Sequence, residues 1–250
     1  MRLPEWRTVR AIVSAFGAVV AAAATAFLAL VNAKVWMGSD REKFWAVATV
    51  AAVAIGSSVA RPVRIVVLGK QVKQRLQIGA ALRSLPWSIN QQTDGAVPVP
   101  PLGASAWLVK GYGKRQALKR IGRERVQDTP GPSNVKWIKG KGALGRCWEL
   151  ERAQVIDTGK IDARWGKCSQ DDWEQKCRPD TRMGLTYEEF RKVTGKYGTV
   201  IAVPMFDARN DKVIGCVSLD APAGLHLQLV NADAEAAVAS AAVVIAALLG

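Results

Sequence analysis

Cysteine and histidine are the residues of this 250-residue chain whose types bear most directly on chemistry. The chain has four cysteines, Cys147, Cys168, Cys177 and Cys216, and one histidine, His226. The Cys168–Cys177 spacing matches no common zinc pattern, and a single histidine leaves no Ser/His/Asp or Cys/His arrangement, so neither a zinc site nor a nucleophilic triad is predicted. Cys216 lies among apolar residues and is predicted to be a core residue. Cys168 and Cys177 lie in a polar segment and are candidates for redox sensing, with free surface thiols as the alternative.

Two apolar runs near the C-terminal end predict the strands that organise the chain. Residues 199–206 and 212–219 are rich in β-branched side chains and flank a short polar break, which predicts a β-hairpin. Few polar residues interrupt either run, which favours a central, well-covered pair of strands. Pro204 lies inside the first run and predicts a bulge or a free edge at that point.

A family resemblance rests on this hairpin. The string TVIAVPMFD followed by KVIGCVSLDAP resembles the late hairpin of GAF domains, which are small-molecule sensing modules of bacterial signalling proteins. The string KGKGALG at 139–145, followed by VID at 155–157, resembles the glycine-marked turn and the next strand of the same family. The matches together cover residues 78–250. The resemblance implies an α+β fold, an antiparallel sheet flanked by helices with a ligand pocket, and it names no ligand or cofactor.

The resemblance also implies where ligand contacts lie. In GAF domains the segment equivalent to 158–196 often forms the lid or wall of the pocket, as long functional loops commonly do. On that basis we expect ligand contacts at Trp165, Trp173, Tyr187, Tyr197 and Asp220.

Two activities of GAF relatives are not favoured by the sequence. Val203, Pro204 and residues 218–220 resemble the hairpin of GAF-type free methionine sulfoxide reductases. The place of their reactive cysteine, just before the first hairpin strand, is occupied here by residues 194–198, which contain no cysteine. The Asn-Lys-Phe-Asp-Glu signature of the cyclic-nucleotide-binding GAF domains of phosphodiesterases does not occur either.

Two long apolar runs in the first seventy residues predict a membrane anchor. Residues 11–31 carry no charge, and at about 1.5 Å per residue they are long enough to cross a hydrocarbon core of about 30 Å. The second run begins at residue 44 and can extend to 66 because Arg61 and Arg64 can snorkel. Trp36, Phe44 and Trp45 lie between the runs, where interfacial aromatics are expected. There are two alternatives: the first run is a signal peptide, or both runs are buried alanine-rich helices of a soluble bundle.

The charge distribution predicts the orientation of that anchor. Of the net charge of +14, residues 1–75 contribute +8, from 11 Lys/Arg and 3 Asp/Glu. Basic residues lie before the first run and after the second, so both termini are expected on the cytoplasmic side of the inner (plasma) membrane. A pI near 10 also fits nucleic-acid binding, but no helix-turn-helix, zinc-finger or RNP-type string supports nucleic acid as a partner.

The remaining elements complete the predicted architecture. Helical spacing predicts a helix over 70–93, and residues 231–250 read as a C-terminal helix capped by Asn231, with Asp233 and Glu235 in its first turn. The C-terminal helix is expected to be buried or to form a homodimer. The predicted domains are a two-helix transmembrane hairpin over 1–69, a connector helix over 70–95 and a cytoplasmic GAF-like domain over 96–250.

Three functions are compatible with this organisation. The first is a membrane-tethered sensor that binds a small molecule, with a nucleotide as one candidate ligand, and signals through dimer or membrane-helix rearrangement or a partner. The second is a membrane-permeabilising effector of a nucleotide-signalled, antiphage-type system. The third is a thiol-based redox enzyme or sensor that uses Cys168 or Cys177.

Overall fold

The computed structural model describes residues 39–207 and 212–250, together with positions 25 and 29. The chain divides into two units, Met1–Gln71 and Val72–Gly250. The predicted span at 11–31 lies outside the described residues, apart from those two positions. The backbone of the second predicted span, at 44–66, lies within helix α1, Asp40–Gln92. The helix predicted over 70–93 is the C-terminal part of α1, which passes through Pro86 before it ends at Gln92.

An antiparallel sheet of five strands forms the centre of the second unit. Its strands are β1 Gly103–Lys110, β2 Ala117–Arg125, β3 Gln154–Asp157, β4 Thr199–Asp207 and β5 Lys212–Ala221, in the spatial order β2-β1-β5-β4-β3. The predicted α+β class and antiparallel sheet are therefore confirmed. The predicted hairpin is confirmed as the β4–β5 pair, whose residues 208–211 lie outside the described part of the chain.

Pro204 occupies a place where its missing N–H costs little. Pro204 pairs with Cys216 on β5, while the ladder on its other side, between β3 and β4, reaches Ala202 and stops. The register of the β4–β5 pair shifts between Met205 and Phe206. Both the free edge and the irregularity that the sequence predicted at this proline are present.

The strands separate the unit into two layers because successive side chains point to opposite faces. On β1, Ala104 and Ala106 belong to the larger hydrophobic core, whereas Ser105 and Trp107 point to the other face. The larger core is closed by α1, through Ile78, Leu82, Leu85 and Ile89, and by helix α8, Ala232–Leu249.

The opposite face of the sheet is covered by short helices. They are α2 Gly142–Leu150, α3 Thr158–Trp165, α4 Gln170–Gln175, α5 Pro179–Arg182 and α6 Tyr187–Val193. A helix of four residues, α7 His226–Leu229, precedes α8. Local caps begin three of them: the side chains of Asp157, Ser169 and Thr186 accept backbone N–H groups of α3, α4 and α6. The segment 158–196 is thus a chain of capped helical turns rather than an open loop.

Helix α8 follows the prediction made for the C-terminal helix. Asn231 Oδ1 accepts the N–H of Ala234 at 2.7 Å, and Asp233 and Glu235 lie in the first turn, so the predicted cap is confirmed. Ala234, Val238 and Ile245 are among its residues buried in the larger core. Among the described residues, α8 is the one helix whose length and composition would suffice to cross a membrane, a property that core helices of soluble proteins share.

Gly215 is a position where the sheet has no room for a side chain. A Cβ atom there would lie 2.0 Å from the carbonyl oxygen of Trp107 and 2.6 Å from Cε of Met205. We expect Gly215→Ala to lower the free energy of unfolding by about 3 kcal/mol because the strands would have to separate. Gly131→Ala, where nothing lies within 4 Å of the added atom, should change it by less than about 0.5 kcal/mol. Urea denaturation of both variants measures the difference; equal stabilities would contradict this packing.

Candidate functional site

A cavity of about 100 Å³ lies between the sheet and its cover of short helices. Residues of β1, β2, β4 and β5 line its floor, and residues of α2, α3, α4, α5 and α6 contribute to its walls. Just over half of the lining residues are apolar or aromatic, and nine are polar or charged, so the cavity can bind a small molecule both by apolar contact and by hydrogen bonds. No cluster of metal-binding side chains occurs among the described residues.

The floor carries two buried hydroxyl groups beside an indole. Ser105 and Ser218 are direct partners across the β1–β5 ladder, and both are buried. Trp107 donates its Nε1–H to Ser218 Oγ at 3.3 Å, which fixes the orientation of that ring. The guanidinium of Arg120, on β2, lies over the same ring at 5.6 Å from its centroid, within the range of a cation–π contact.

Asp220, at the end of the floor, is not a free carboxylate. It forms an ion pair with Arg125, and the two side chains are 13% and 6% exposed. Arg125 Nη1 also donates to the carbonyl oxygens of Pro101 and Thr129, at 3.1 and 3.0 Å. Burial, and then the charge of Arg123, lower the pKa of Arg125. The pair therefore neutralises a buried acid and ties the end of β2 to two loops.

Asp162, on α3, is the second acid of the cavity. Its Oδ2 accepts the backbone N–H of Gly195 at 2.7 Å, and its Oδ1 accepts the hydroxyl of Thr194 at 3.0 Å. Burial raises the pKa of Asp162, and these two hydrogen bonds act in the opposite direction. The carboxylate joins α3 to the chain just before β4.

Trp173 is the central residue of the aromatic wall. Its ring stacks on Phe190, with centroids 3.9 Å apart, and meets the ring of Trp165 edge-on at 6.4 Å. Trp173 is 1% exposed. Its Nε1–H is buried and has no hydrogen-bond partner within the described residues. Trp173 is therefore a cavity-lining residue whose buried donor has no acceptor among the residues described.

The first turn of α2 forms another wall. Gly140 and Gly142 have φ values of 81° and 60°, the left-handed region that glycine enters without a steric penalty. A Cβ on Gly145 would lie 2.1 Å from the carbonyl oxygen of Ile138, so the turn also folds closely back on the helix. Gly142 donates its N–H to Met183 O at 2.8 Å, which ties this turn to the helical cover.

A partly buried ion pair makes a second link between that turn and the cover. Lys141 Nζ lies 2.8 Å from both carboxylate oxygens of Glu189 on α6, and the two side chains are 15% and 18% exposed. Glu189 also accepts the N–H of Thr186 in a capping box. Burial acts to raise the pKa of Glu189, but the hydrogen bonds from Lys141 and Thr186 and the charge of Lys141 outweigh it and lower that pKa.

The five residues expected from the resemblance as ligand contacts divide into two groups. Trp173, Tyr197 and Asp220 line the cavity. Trp165 and Tyr187 do not: Trp165 makes an edge contact with Trp173, and Tyr187 donates its hydroxyl to Cys168 O at 2.8 Å. Both therefore support the wall rather than form its surface. Their role in ligand binding stays a prediction.

Other lining residues were not expected from the sequence. They include Trp107, Arg120, Trp137 and Phe190. The available signal was in β1, where Ser105 and Trp107 alternate with Ala104 and Ala106.

The cysteines are free thiols, and most of them are inaccessible. Cys177 is buried, and burial raises its pKa, whereas Cys168 is partly exposed. Cys216 is a core residue as predicted, and the neighbouring Cys147 thiol, followed by burial, raises its pKa. A raised pKa disfavours the reactive thiolate at Cys177 and Cys216.

Comparisons with known proteins give solved structures at low identity. A type II free methionine-R-sulfoxide reductase from Thermoplasma acidophilum is 15% identical, with 72% of this chain and 94% of that one covered and a TM-score of 0.41. The reduced form of fRMsr of Staphylococcus aureus is also 15% identical, with 72% and 95% covered and a TM-score of 0.39. A GAF domain/HD domain protein from Geobacter sulfurreducens is 12% identical, with 69% and 97% covered and a TM-score of 0.38. No family model and no curated protein matches the chain.

The ion pair between Lys141 and Glu189 should contribute measurably to stability. We expect Lys141→Met to lower the free energy of unfolding at pH 7 by about 2 kcal/mol, because Glu189 would stay partly buried without its partner. Lys139→Met removes the same charge from the same turn, where the lysine is exposed, and should have little effect.

The pH dependence of this difference follows from the lowered pKa of Glu189. A lowered folded-state pKa stabilises the protein above the ordinary value of 4.5 and loses that contribution as the pH falls through the folded-state value. Denaturation curves at pH 7 and below 4.5 should therefore show the gap between wild type and Lys141→Met closing in acid. A gap that persisted or widened would rule out the ion pair as its cause.

Proposed function

We propose that residues 72–250 form a GAF-like sensory domain whose cavity binds a small organic molecule. The observation that carries this proposal is the cavity itself, which buries two serine hydroxyls among aromatic and aliphatic walls. The strand order and the cover of short helices over one sheet face agree with the family resemblance of the hairpin. Ligand binding is favoured over catalysis because the two acids of the cavity are committed to structural contacts.

The size of the cavity bears on the ligand. A volume of about 100 Å³ is below the engineered cavity of about 150 Å³ that takes up benzene. This favours a compact molecule over a haem or a cyclic dinucleotide, and it weakens the proposal of a nucleotide-signalled membrane effector. The redox alternative has Cys168 as its one partly exposed thiol, and burial raises the pKa of Cys177, which disfavours its thiolate.

Thermal melting of the full chain against small molecules tests ligand binding. The panel contains nucleotides, cyclic nucleotides, amino acids, small organic acids and haem. A ligand at a hundred times its dissociation constant adds about 2.7 kcal/mol and raises the melting midpoint. Thr181→Trp, which fills the cavity, should abolish that rise, whereas Lys160→Trp on the exposed surface of α3 should preserve it. If the melting midpoint of Thr181→Trp still rises with the ligand, the ligand binds outside this cavity. The double variant Cys168→Ser/Cys177→Ser should bind the ligand as wild type does if the thiols take no part.

We also propose that residues 1–69 tether this domain to the inner membrane as a two-helix hairpin with both termini in the cytoplasm. The support is the charge-free length of 11–31, the apolar run at 44–66 and the basic residues that flank them.

A homodimer is also proposed, through α1 and α8. The two helices are in contact where Gln74 Nε2 donates to Leu248 O at 2.5 Å, and they expose the apolar side chains of Leu76 and Val243.

Membrane fractionation tests the tether. We expect the full chain to stay in the membrane pellet after alkaline carbonate extraction, because two apolar helices hold it in the hydrocarbon core. A chain lacking residues 1–69 should appear in the supernatant. Release of the full chain by salt alone would contradict the hairpin and indicate a surface attachment by the basic residues.

A further inference from the structure

We infer that the ligand of this cavity carries a carboxylate, and that the indole N–H of Trp173 and the free backbone N–H groups at the start of α2 receive it. This inference rests on the proposed ligand-binding function and adds the chemical class of the ligand.

The first observation is the unpartnered donor of Trp173. The residue is 1% exposed, lines the cavity and has no acceptor for Nε1–H in the described part of the chain. Stacking on Phe190 and the edge contact with Trp165 hold the ring, so the N–H cannot turn toward another acceptor. A buried donor without a partner is unfavourable, and buried indole N–H groups usually have one. An oxygen of a bound molecule would supply it.

The second observation is the start of α2 in the same cavity. Gly142, Ala143 and Leu144 line the cavity and are buried. The N–H of Gly142 is taken by Met183 O, and the N–H of Gly145 by Lys141 O at 2.9 Å. For the N–H groups of Ala143 and Leu144, between them, no acceptor is found within residues 39–207 and 212–250. The first turn of a helix of nine residues also carries a partial positive charge, which favours an anion.

The charged side chains around the cavity also favour an anion. Asp220 is paired with Arg125, and Asp162 is occupied by Thr194 and Gly195. On the basic side, Arg120 makes its contact with the face of Trp107 and no ion pair with a described residue. Arg123, which also lines the cavity, donates to the carbonyl oxygen of Pro130, a neutral group. The uncommitted charge is therefore positive.

A monocarboxylate with a small apolar body fits these features. Two N–H groups of a helix turn and one indole N–H suit the two oxygens of a carboxylate. The apolar walls, which include Ile161, Leu185 and Val200, suit a small aliphatic body. A phosphate ester carries a second negative charge, and Arg120 and Arg123 at the floor would have to neutralise it.

Calorimetric titration of the full chain with matched acids and amides tests the inference. Propionate and isobutyrate should bind at least about tenfold more tightly than propionamide and isobutyramide, which have nearly the same shape without the charge. Trp173→Phe keeps the stack on Phe190 and removes the donor, so it should cost the acids about tenfold and the amides less, because a neutral amide oxygen accepts a weaker hydrogen bond than a carboxylate does. Trp87→Phe, at an exposed position on α1, is the matched control and should bind like wild type.

A spectroscopic measurement keeps the test independent of how well the variant folds. In wild-type protein with nitrogen-15-labelled tryptophan, saturating isobutyrate should shift the Trp173 indole N–H resonance downfield by more than saturating isobutyramide does. Amides that bind as tightly as the acids, in the cavity as judged by loss in Thr181→Trp, would overturn the carboxylate inference and leave the ligand-binding function in place. No binding of either series up to about 10 mM would overturn the inference, and the broader melting panel would then decide the function separately.

Discussion

Alternation of side chains along β1 and β5 is the constraint on which the second unit depends. One face of these strands is uniformly apolar and is covered by α1 and α8. The other face carries Ser105, Ser218 and Asp220, whose polar groups need partners that an apolar helix cannot give. Neighbouring strands supply these partners, since Trp107 donates to Ser218 and Arg125 pairs with Asp220, and the short helices cover this face while leaving space beneath them. The cavity is therefore a consequence of placing polar side chains on the inner face of a central pair of strands.

Ion pairs hold the two sides of this arrangement together. Arg125 neutralises Asp220 and at the same time holds the carbonyl groups of two loops at the sheet end. Lys141 and Glu189 do the equivalent between the glycine turn and α6. The Arg125–Asp220 pair is largely buried and the Lys141–Glu189 pair is partly buried, so each would leave a poorly solvated charge if one partner were lost. Their contribution lies in fixing the position of the cavity walls.

The sequence predicted the sheet better than the cover, for physical reasons. The β4–β5 hairpin has two β-branched apolar runs around a short polar break, and even the irregularity at Pro204 follows from its missing N–H. The C-terminal helix was marked by Asn231 and two acids in its first turn. The helices between 158 and 196 have four to eight residues each, too few for a periodic pattern, and depend on caps and on contacts distant in sequence. Trp165 and Trp173 therefore looked equivalent in the sequence, although one supports the wall and the other lines it.

The small hydrophobic cluster of Val135, Trp173, Cys177, Leu185 and Phe190 is separate from the core beneath the sheet. Elements with their own small core can open without unfolding the rest of a domain, at a lower free energy than global unfolding. Amide hydrogens of α4, α5 and α6 would then exchange with solvent sooner than those of β1 and β5. The rate at which the interior meets bulk water, and with it the lifetime of anything enclosed there, would be governed by this local opening rather than by the stability of the whole fold.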